Sequence, residues 1–377
     1  AFADYDNDGD LDILITGDSD NGKIAKMFRN TGNAFTEDTG INLTGVSHSS
    51  TAFGDYDNDG DLDLLITGRS DSLIIAKMYQ NTGGNFSEDT TINLMGVEYG
   101  STSFGDYDND GDLDILISGD TGSNKITKVY RNTGGSFSED TGIHLIGVFD
   151  GASAFGDYDN DGDLDILITG DTGNSKNTTV YQNTDGHFSE ASDINLTDVT
   201  HSTTVFGDYD NDGDLDILMS GQAASGRMAK IYQNNTLISN TPANAPSSLT
   251  SVVSEQIVLL SWSAASDSET LSAAGLSYNL RIGSSPGACD ILSPMALPLS
   301  NGYRQIPARG AIQTLTATIN PLNGGTYYWS VQSIDTAFAG SDFSNESTFT
   351  IDQTPIISAI AHQHTVIDYP ISIPFQL

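Results

Sequence analysis

The nine-residue string DYDNDGDLD occurs five times, opening at Asp4, Asp55, Asp106, Asp157 and Asp208, each copy 51 residues after the last. In the first copy the carboxylates of Asp4, Asp6, Asp8 and Asp12 stand at positions 1, 3, 5 and 9 around one centre. Hard oxygen ligands at that density select calcium. Gly9 at position 6 permits a sharp turn that swings the carbonyl of Asp10, at position 7, inward as a further ligand. Leu11, at position 8, is expected to plug the loop into the fold.

Without a cation such loops would strain the chain. Two carboxylates about 6 Å apart repel by roughly 0.7 kcal/mol even in water, and each loop contains several such pairs. A domain is net stable by only about 5–15 kcal/mol. A merely solvated acidic turn is therefore a poor explanation of five copies. The helix-flanked EF-hand loop starts with the same spacing but needs a bidentate Glu at position 12. Here that place holds Ile15, Ile66, Ile117, Ile168 and Met219, inside β-rich runs, which excludes it.

The regular spacing demands a repeat architecture. One period divides into four strands, expected in the second repeat over residues 48–57, 62–68, 73–83 and 85–97, about the content of one propeller blade. Leu62, Leu64 and Ile66 alternate with Asp63, Leu65 and Thr67, putting apolar side chains on both faces, as befits a strand sandwiched between neighbouring blades. The third strand repeats an aromatic (Phe28, Tyr79, Tyr130, Tyr181, Tyr232), followed by Asn-Thr-Gly or a close variant, which reads as turn chemistry. The fold class is thus all-β, a β-propeller of four-stranded blades over residues 1–240.

Residues 241–246 read as a linker, after which the repeat never returns. Residues 247–352 carry a tryptophan strand (Val258 to Trp262), a strand from Tyr278 to Ile282, and a strand with inward Tyr327, Trp329 and Val331 preceded by Leu322. The layout resembles a fibronectin type III sandwich, in which a tyrosine hydrogen-bonds back to the chain at one corner. Tyr327 is the first choice for that corner and Tyr328 the second. Residues 353–377 read as the opening of a further Ig- or cadherin-like domain or a tail. Ala1 falls inside a repeat, so the chain reads as a piece of something longer.

Phe53-Gly54-Asp55 followed by YDNDGDLDLLITG resembles the FG-GAP or VCBS repeat, the calcium-bearing blade of integrin-α-like propellers. That resemblance covers residues 1–236 and implies a calcium ion in every loop. Its ligands would be carboxylates at positions 1, 3, 5 and 9 (Asp55, Asp57, Asp59, Asp63; Asp106, Asp108, Asp110, Asp114; Asp157, Asp159, Asp161, Asp165; Asp208, Asp210, Asp212, Asp216), with the carbonyls of Asp61, Asp112, Asp163 and Asp214. Such propellers usually have seven blades, against five loops here. With the sandwich, the whole resembles large secreted surface proteins of Bacteroidota-type bacteria.

A formal charge of −37 with only 14 Lys and Arg excludes a nucleic-acid partner held through phosphates and disfavours an anionic membrane surface. No apolar run is long enough to span a bilayer. Cys289 is the only cysteine, so no internal disulfide forms. Two loops vary between repeats while the calcium loops barely do: the one entering the first strand and the one leaving the second. In an up-and-down blade they share the face opposite the calcium loops, and there His48, Arg69, Tyr99, Phe149 and His201 are the candidates for a ligand face. The expectation is a non-enzymatic, extracellular calcium-stabilised binding or adhesion module, secreted or on the cell surface, taking a protein or glycan. The alternatives are a stalk or filament built from copies of itself, and a polysaccharide-acting propeller.

Overall fold

The computed structural model describes residues 1–32, 34–236, 238–294, 304, 306–319 and 322–352. The further domain expected over 353–377 lies outside them. Every regular element among the described residues is a β-strand. In the second repeat the strands are Ser47–Gly54, Asp63–Arg69, Ile74–Thr82 and Asn85–Glu88, paired antiparallel in that order. The same blade recurs in the first, third and fourth repeats, and the fifth has three described strands.

Two of the sequence boundaries are corrected. The first strand stops at Gly54 because the next residue opens the loop. The fourth stops at Glu88 and not near Val97, because the following backbone turns to side chains for its partners: the N–H of Thr91 donates to Asp89 Oδ1 at 2.9 Å and that of Met95 to the Tyr130 hydroxyl at 3.0 Å. Leu at position 8 also behaves unevenly. Leu113, Leu164 and Leu215 are buried, whereas Leu11 is 57% exposed. The buried case follows from what the side chain meets, since Leu113 packs beside Gly54 at the end of the preceding blade's first strand.

The hydrophobic cores lie between blades. Leu14, Met27 and Val46 of the first repeat cluster with Leu64, Ile66 and Tyr79 of the second, and Leu65 and Met78 face Ile115, Ile117 and Tyr130 of the third. That arrangement explains why Leu64, Leu65 and Ile66 are all fully buried: consecutive side chains point to opposite faces of the strand, and each face has a neighbour.

Three polar joints repeat at every blade junction. The Asn of the Asn-Thr-Gly element is buried and reaches the Tyr carbonyl of the preceding blade: Asn81 to Tyr5 at 2.7 Å, Asn132 to Tyr56 at 2.7 Å, Asn183 to Tyr107 at 2.8 Å. The third-strand tyrosine hydroxyl accepts an N–H from the segment leaving the blade before it, as Tyr181 does from Ile146 at 3.1 Å. Asn at position 4 of each loop donates to the position 7 carboxylate of the next: Asn7 to Asp61, Asn58 to Asp112, Asn109 to Asp163 and Asn160 to Asp214, at 2.7–2.9 Å. These position 4 residues have φ of 55° to 60°, a left-handed conformation that asparagine tolerates.

Asn132→Ala is expected to cost about 2–4 kcal/mol, because it leaves the buried carbonyls of Tyr56 and Leu113 without donors. Asn30 is half-exposed and its amide bonds within its own repeat, donating to the Leu11 carbonyl and accepting from the Gly32 N–H, so Asn30→Ala should cost under about 1 kcal/mol. Urea midpoints compared at constant slope measure both; equal losses would refute the joint.

The described residues between 247 and 352 form two three-stranded antiparallel sheets around a separate core. Ser247–Ser254 pairs with Ile257–Ser263, which pairs with Thr316–Ile319; Ser277–Gly283 pairs with Gly325–Ile334, which pairs with Ser347–Ile351. Trp262, Trp329, Tyr278 and Val331 fill the space between the sheets. The Tyr327 hydroxyl donates to the Asn323 carbonyl at 2.8 Å, the bond anticipated for the corner. The segment read as a linker is held in place: Ala243 is buried in that core and the Asn244 carbonyl accepts from Ser333 Oγ at 2.7 Å.

Candidate metal centres

Each aspartate loop connects the first and second strands of a blade, and the hydrogen bonds inside it show why the text must be what it is. Position 1 accepts two backbone N–H groups: Asp55 Oδ1 takes that of Asp59 at 3.0 Å and Oδ2 that of Gly60 at 2.9 Å. The glycine has φ of 93° to 95° in all five loops, where a side chain would be strained. Position 5 closes a short turn onto position 7, as Asp59 Oδ1 does on the Asp61 N–H at 2.9 Å. Position 9 is buried in every loop and bonds across the blade: Asp63 Oδ2 accepts from Tyr56 at 3.0 Å and Oδ1 from Asn81 at 2.8 Å.

With the loops so held, the carboxylates at positions 1, 3 and 9 converge. Ligand oxygens of Asp55, Asp57 and Asp63 lie within 4.8 Å of one another, as do those of Asp106, Asp108 and Asp114, of Asp157, Asp159 and Asp165, and of Asp208, Asp210 and Asp216. In the first loop the converging set is Asp4, Asp6 and Asp8, with Asp12 outside it. Elsewhere Asp59, Asp110, Asp161 and Asp212 stand outside the trio. The position 7 carboxylates of Asp61, Asp112 and Asp163 are taken up by the blade joints and by the N–H groups of Gly83, Gly134 and Asp185, so their side chains face away from the centre.

Electrostatics mark the trios as cation-seeking. Burial pushes Asp55 up to about 7, Asp63 to about 8 and Asp114 to about 9, against the pull of their backbone hydrogen bonds. Asp4 rises to about 7 and Asp165 far above the ordinary carboxylate range for the same reason. The Oδ1 atoms of Asp6, Asp108 and Asp159 are buried with no hydrogen-bond partner. An orphaned buried acceptor costs about 1–3 kcal/mol, more when charged. The donor set is all oxygen, so a hard divalent cation fits.

A supporting residue was not legible as such. The side chain just after the third-strand aromatic holds the position 3 carboxylate: Arg29 meets Asp6 at 2.9 Å, Gln80 meets Asp57 at 2.6 Å, Arg131 meets Asp108, Gln182 meets Asp159 and Gln233 meets Asp210. It thereby aims the free oxygen inward, as an outer partner of a metal ligand does. The signal was present, since every repeat has Arg or Gln at that place.

The variable loops lie at the other end of the first strand, where Ser47 pairs with Arg69 while Gly54 pairs with Asp63 at the loop end. His48, Tyr99, Asp150 and His201 occupy equivalent places in four successive blades, all at φ between 46° and 51°, each in a register shift of that strand. Three of the five candidates gather: the His48 and Tyr99 rings stack at 3.9 Å, and the buried carboxylate of Glu98 accepts from Arg69 Nε at 2.6 Å and lies 3.7 Å from His48 Nδ1. Phe149 lies apart, under the Lys125 ammonium at 4.3 Å, and His201 pairs with Asp150 at 3.6 Å. Glu98, Lys125 and Asp150 were not singled out from the sequence.

The model of the FG-GAP-like repeat matches residues 4–66, 55–117, 106–168 and 157–219, windows that each run from one loop into the strand after the next. No curated protein matches the sequence significantly. Among solved structures, the crystal structure of a protein from Lactobacillus plantarum aligns over 91% of this chain and 97% of its own, with a TM-score of 0.37 and 10% identity, too distant for anything to be carried over. The matched windows together span more than half of the sequence, and each takes in two of the carboxylate loops described above: the chain belongs to the FG-GAP-like repeat family.

Proposed function

We propose that each of the five loops holds one calcium ion and that the blades form a non-enzymatic, calcium-stabilised binding module that works outside the cell. The observation that carries the metal is the convergence of three carboxylates per loop together with the partnerless buried oxygens of Asp6, Asp108 and Asp159. When bound, the cation supplies charge compensation and rigidity; the residues of the chain do the rest. Positions 1, 3 and 9 hold it in the second to fifth loops and positions 1, 3 and 5 in the first, Arg or Gln from the third strand orients position 3, and the blade joints fix position 7 from the second loop onward. Millimolar external calcium suits the weak affinities of extracellular calcium modules.

The binding surface is the variable face, centred on the His48–Tyr99 stack and the Arg69–Glu98 pair, and its partner a protein or glycan. The side chains there are held by one another on a bulged, rigid strand, and Tyr99 keeps 40% of its surface open. Residues 247–352 fit a fibronectin type III-like sandwich, supported by the strand order of the two sheets and by the Tyr327 bond. Calorimetric titration of metal-stripped protein tests the metal reading: about five calcium ions should bind per chain, with magnesium a poor competitor because it demands a tighter octahedral cage. Absence of calcium uptake, or magnesium binding as tightly, would sink it.

A further inference from the structure

The sandwich rests on the aspartate loops. Thr336 Oγ1 donates to Asp157 Oδ2 at 2.8 Å, and Ser272 Oγ to the Asn109 carbonyl at 2.7 Å. The Glu269 carbonyl lies so close to Gly162 that a Cβ there would meet it at 2.0 Å, and the Ile291 carbonyl stands likewise over Gly9 at 2.4 Å. Pro307 packs against Gly207, in the place that Phe104, Phe155 and Phe206 take against the equivalent glycines of earlier blades.

Arg309, two residues beyond Pro307, brings the sandwich's guanidinium to the third loop. Its Nη2 is 4.0 Å from Asp106 Oδ2, at position 1, and the side chain is only 14% exposed. Neither Nη1 nor Nη2 has a hydrogen-bond partner. Arg131 already engages Asp108 in the same loop. Two guanidinium groups thus face the third loop, one faces the first (Arg29), and the second, fourth and fifth have neutral glutamines in that role. The sandwich also sets acids beside the fourth loop, with Asp335 buried and Asp267 half-buried nearby.

We propose that Arg309 is an internal substitute for the cation at the third loop, so that a metal ion entering there displaces it and loosens the sandwich from the loop face. The proposal rests on the calcium reading above. A guanidinium and a divalent ion compete for the same carboxylates, since a positive charge a few ångströms from the centre repels the entering ion. A salt bridge whose hydrogens find no acceptors is a weak hold, fit to be exchanged. The five sites, nearly identical in text, then divide into four that fill first and one that fills last and moves a domain.

Calorimetry should resolve one site roughly tenfold weaker than the rest in the natural protein. In Arg309→Gln that site should join the others, while Arg309→Lys, which keeps the charge, should leave it weak. An unchanged isotherm in Arg309→Gln overturns the proposal. A second measurement leaves Arg309 in place: spin labels on Cys289, the sole and exposed cysteine, and on Ser123→Cys at an exposed turn of the third blade. Their separation should be single-valued in EGTA and shift only when the last site fills; an identical distance in both states overturns the latch while the stoichiometry still stands. No calcium uptake by the natural protein overturns the underlying reading and the latch together.

Discussion

Stripping calcium from the protein at pH 8 is expected to lower the melting temperature of the blades by about 15 °C or more, and by far less at pH 5. A site with a Kd of about 0.1 mM, in about 1 mM calcium, adds about 1.4 kcal/mol to folding, and five add about 7 kcal/mol. At about 2–4 °C per kcal/mol for a chain segment of this size, the shift follows. The pH dependence comes from the buried carboxylates. In the metal-free fold Asp55, Asp63 and Asp114 are raised from 3.8 to about 7, 8 and 9, so between about pH 4 and those values the native state binds more protons than the unfolded chain. Stability of the stripped protein is therefore greatest below about pH 4 as far as these groups decide it, and falls as pH rises through that window. Calcium needs the ionised ligands, so its contribution grows in the same direction. Scanning calorimetry at both pH values with and without EGTA should give diverging curves; parallel ones would mean the loops do not hold the ion.

The second large effect is local. Asp114→Ala in calcium should destabilise by about 3–5 kcal/mol, since it strands the buried N–H groups of Tyr107 and Asn132, which Asp114 accepts at 3.0 and 2.8 Å, and removes a metal ligand. Asp110→Ala, at the exposed position 5 of the same loop, loses one bond to the Asp112 N–H and should cost under about 1 kcal/mol. In EGTA the gap should narrow, because burial keeps the Asp114 carboxyl protonated through neutral pH and the substitution then removes no charge. Urea unfolding of both variants in the two buffers is the measurement, and equal losses in calcium would contradict the roles assigned to positions 5 and 9.

Much of this was legible in the text because one period repeats it. The alternation at Leu64, Leu65 and Ile66 announced a strand buried on both faces, and the carboxylate spacing announced a cation loop. What stayed hidden depends on neighbours in space. Asn81 looked like a turn residue, since its partner Tyr5 lies 76 residues earlier on another blade. The tail of the fourth strand looked like continued strand because its polar backbone finds side chains, Asp89 and Tyr130, that no local pattern reveals. Position 7 was read only for its carbonyl, and nothing local showed that its carboxylate clasps the neighbouring loop. The seat of the sandwich on the loops joins residues 163 and 179 apart, Asn109 with Ser272 and Asp157 with Thr336, where no repeat exists to be read.

The blade joints also bear on how such a chain changes over generations. The second to fifth repeats carry both halves of each joint, an Asn and a Tyr that reach back and a carbonyl, an N–H and a loop Asn that are reached or reach forward, while the first has Phe28 in place of the Tyr. An in-frame duplication or loss of one repeat unit in the gene therefore produces a new junction chemically the same as the old one, and the number of blades can drift without any compensating substitution. The variable face, which takes no part in the joints, is then free to be reshuffled blade by blade.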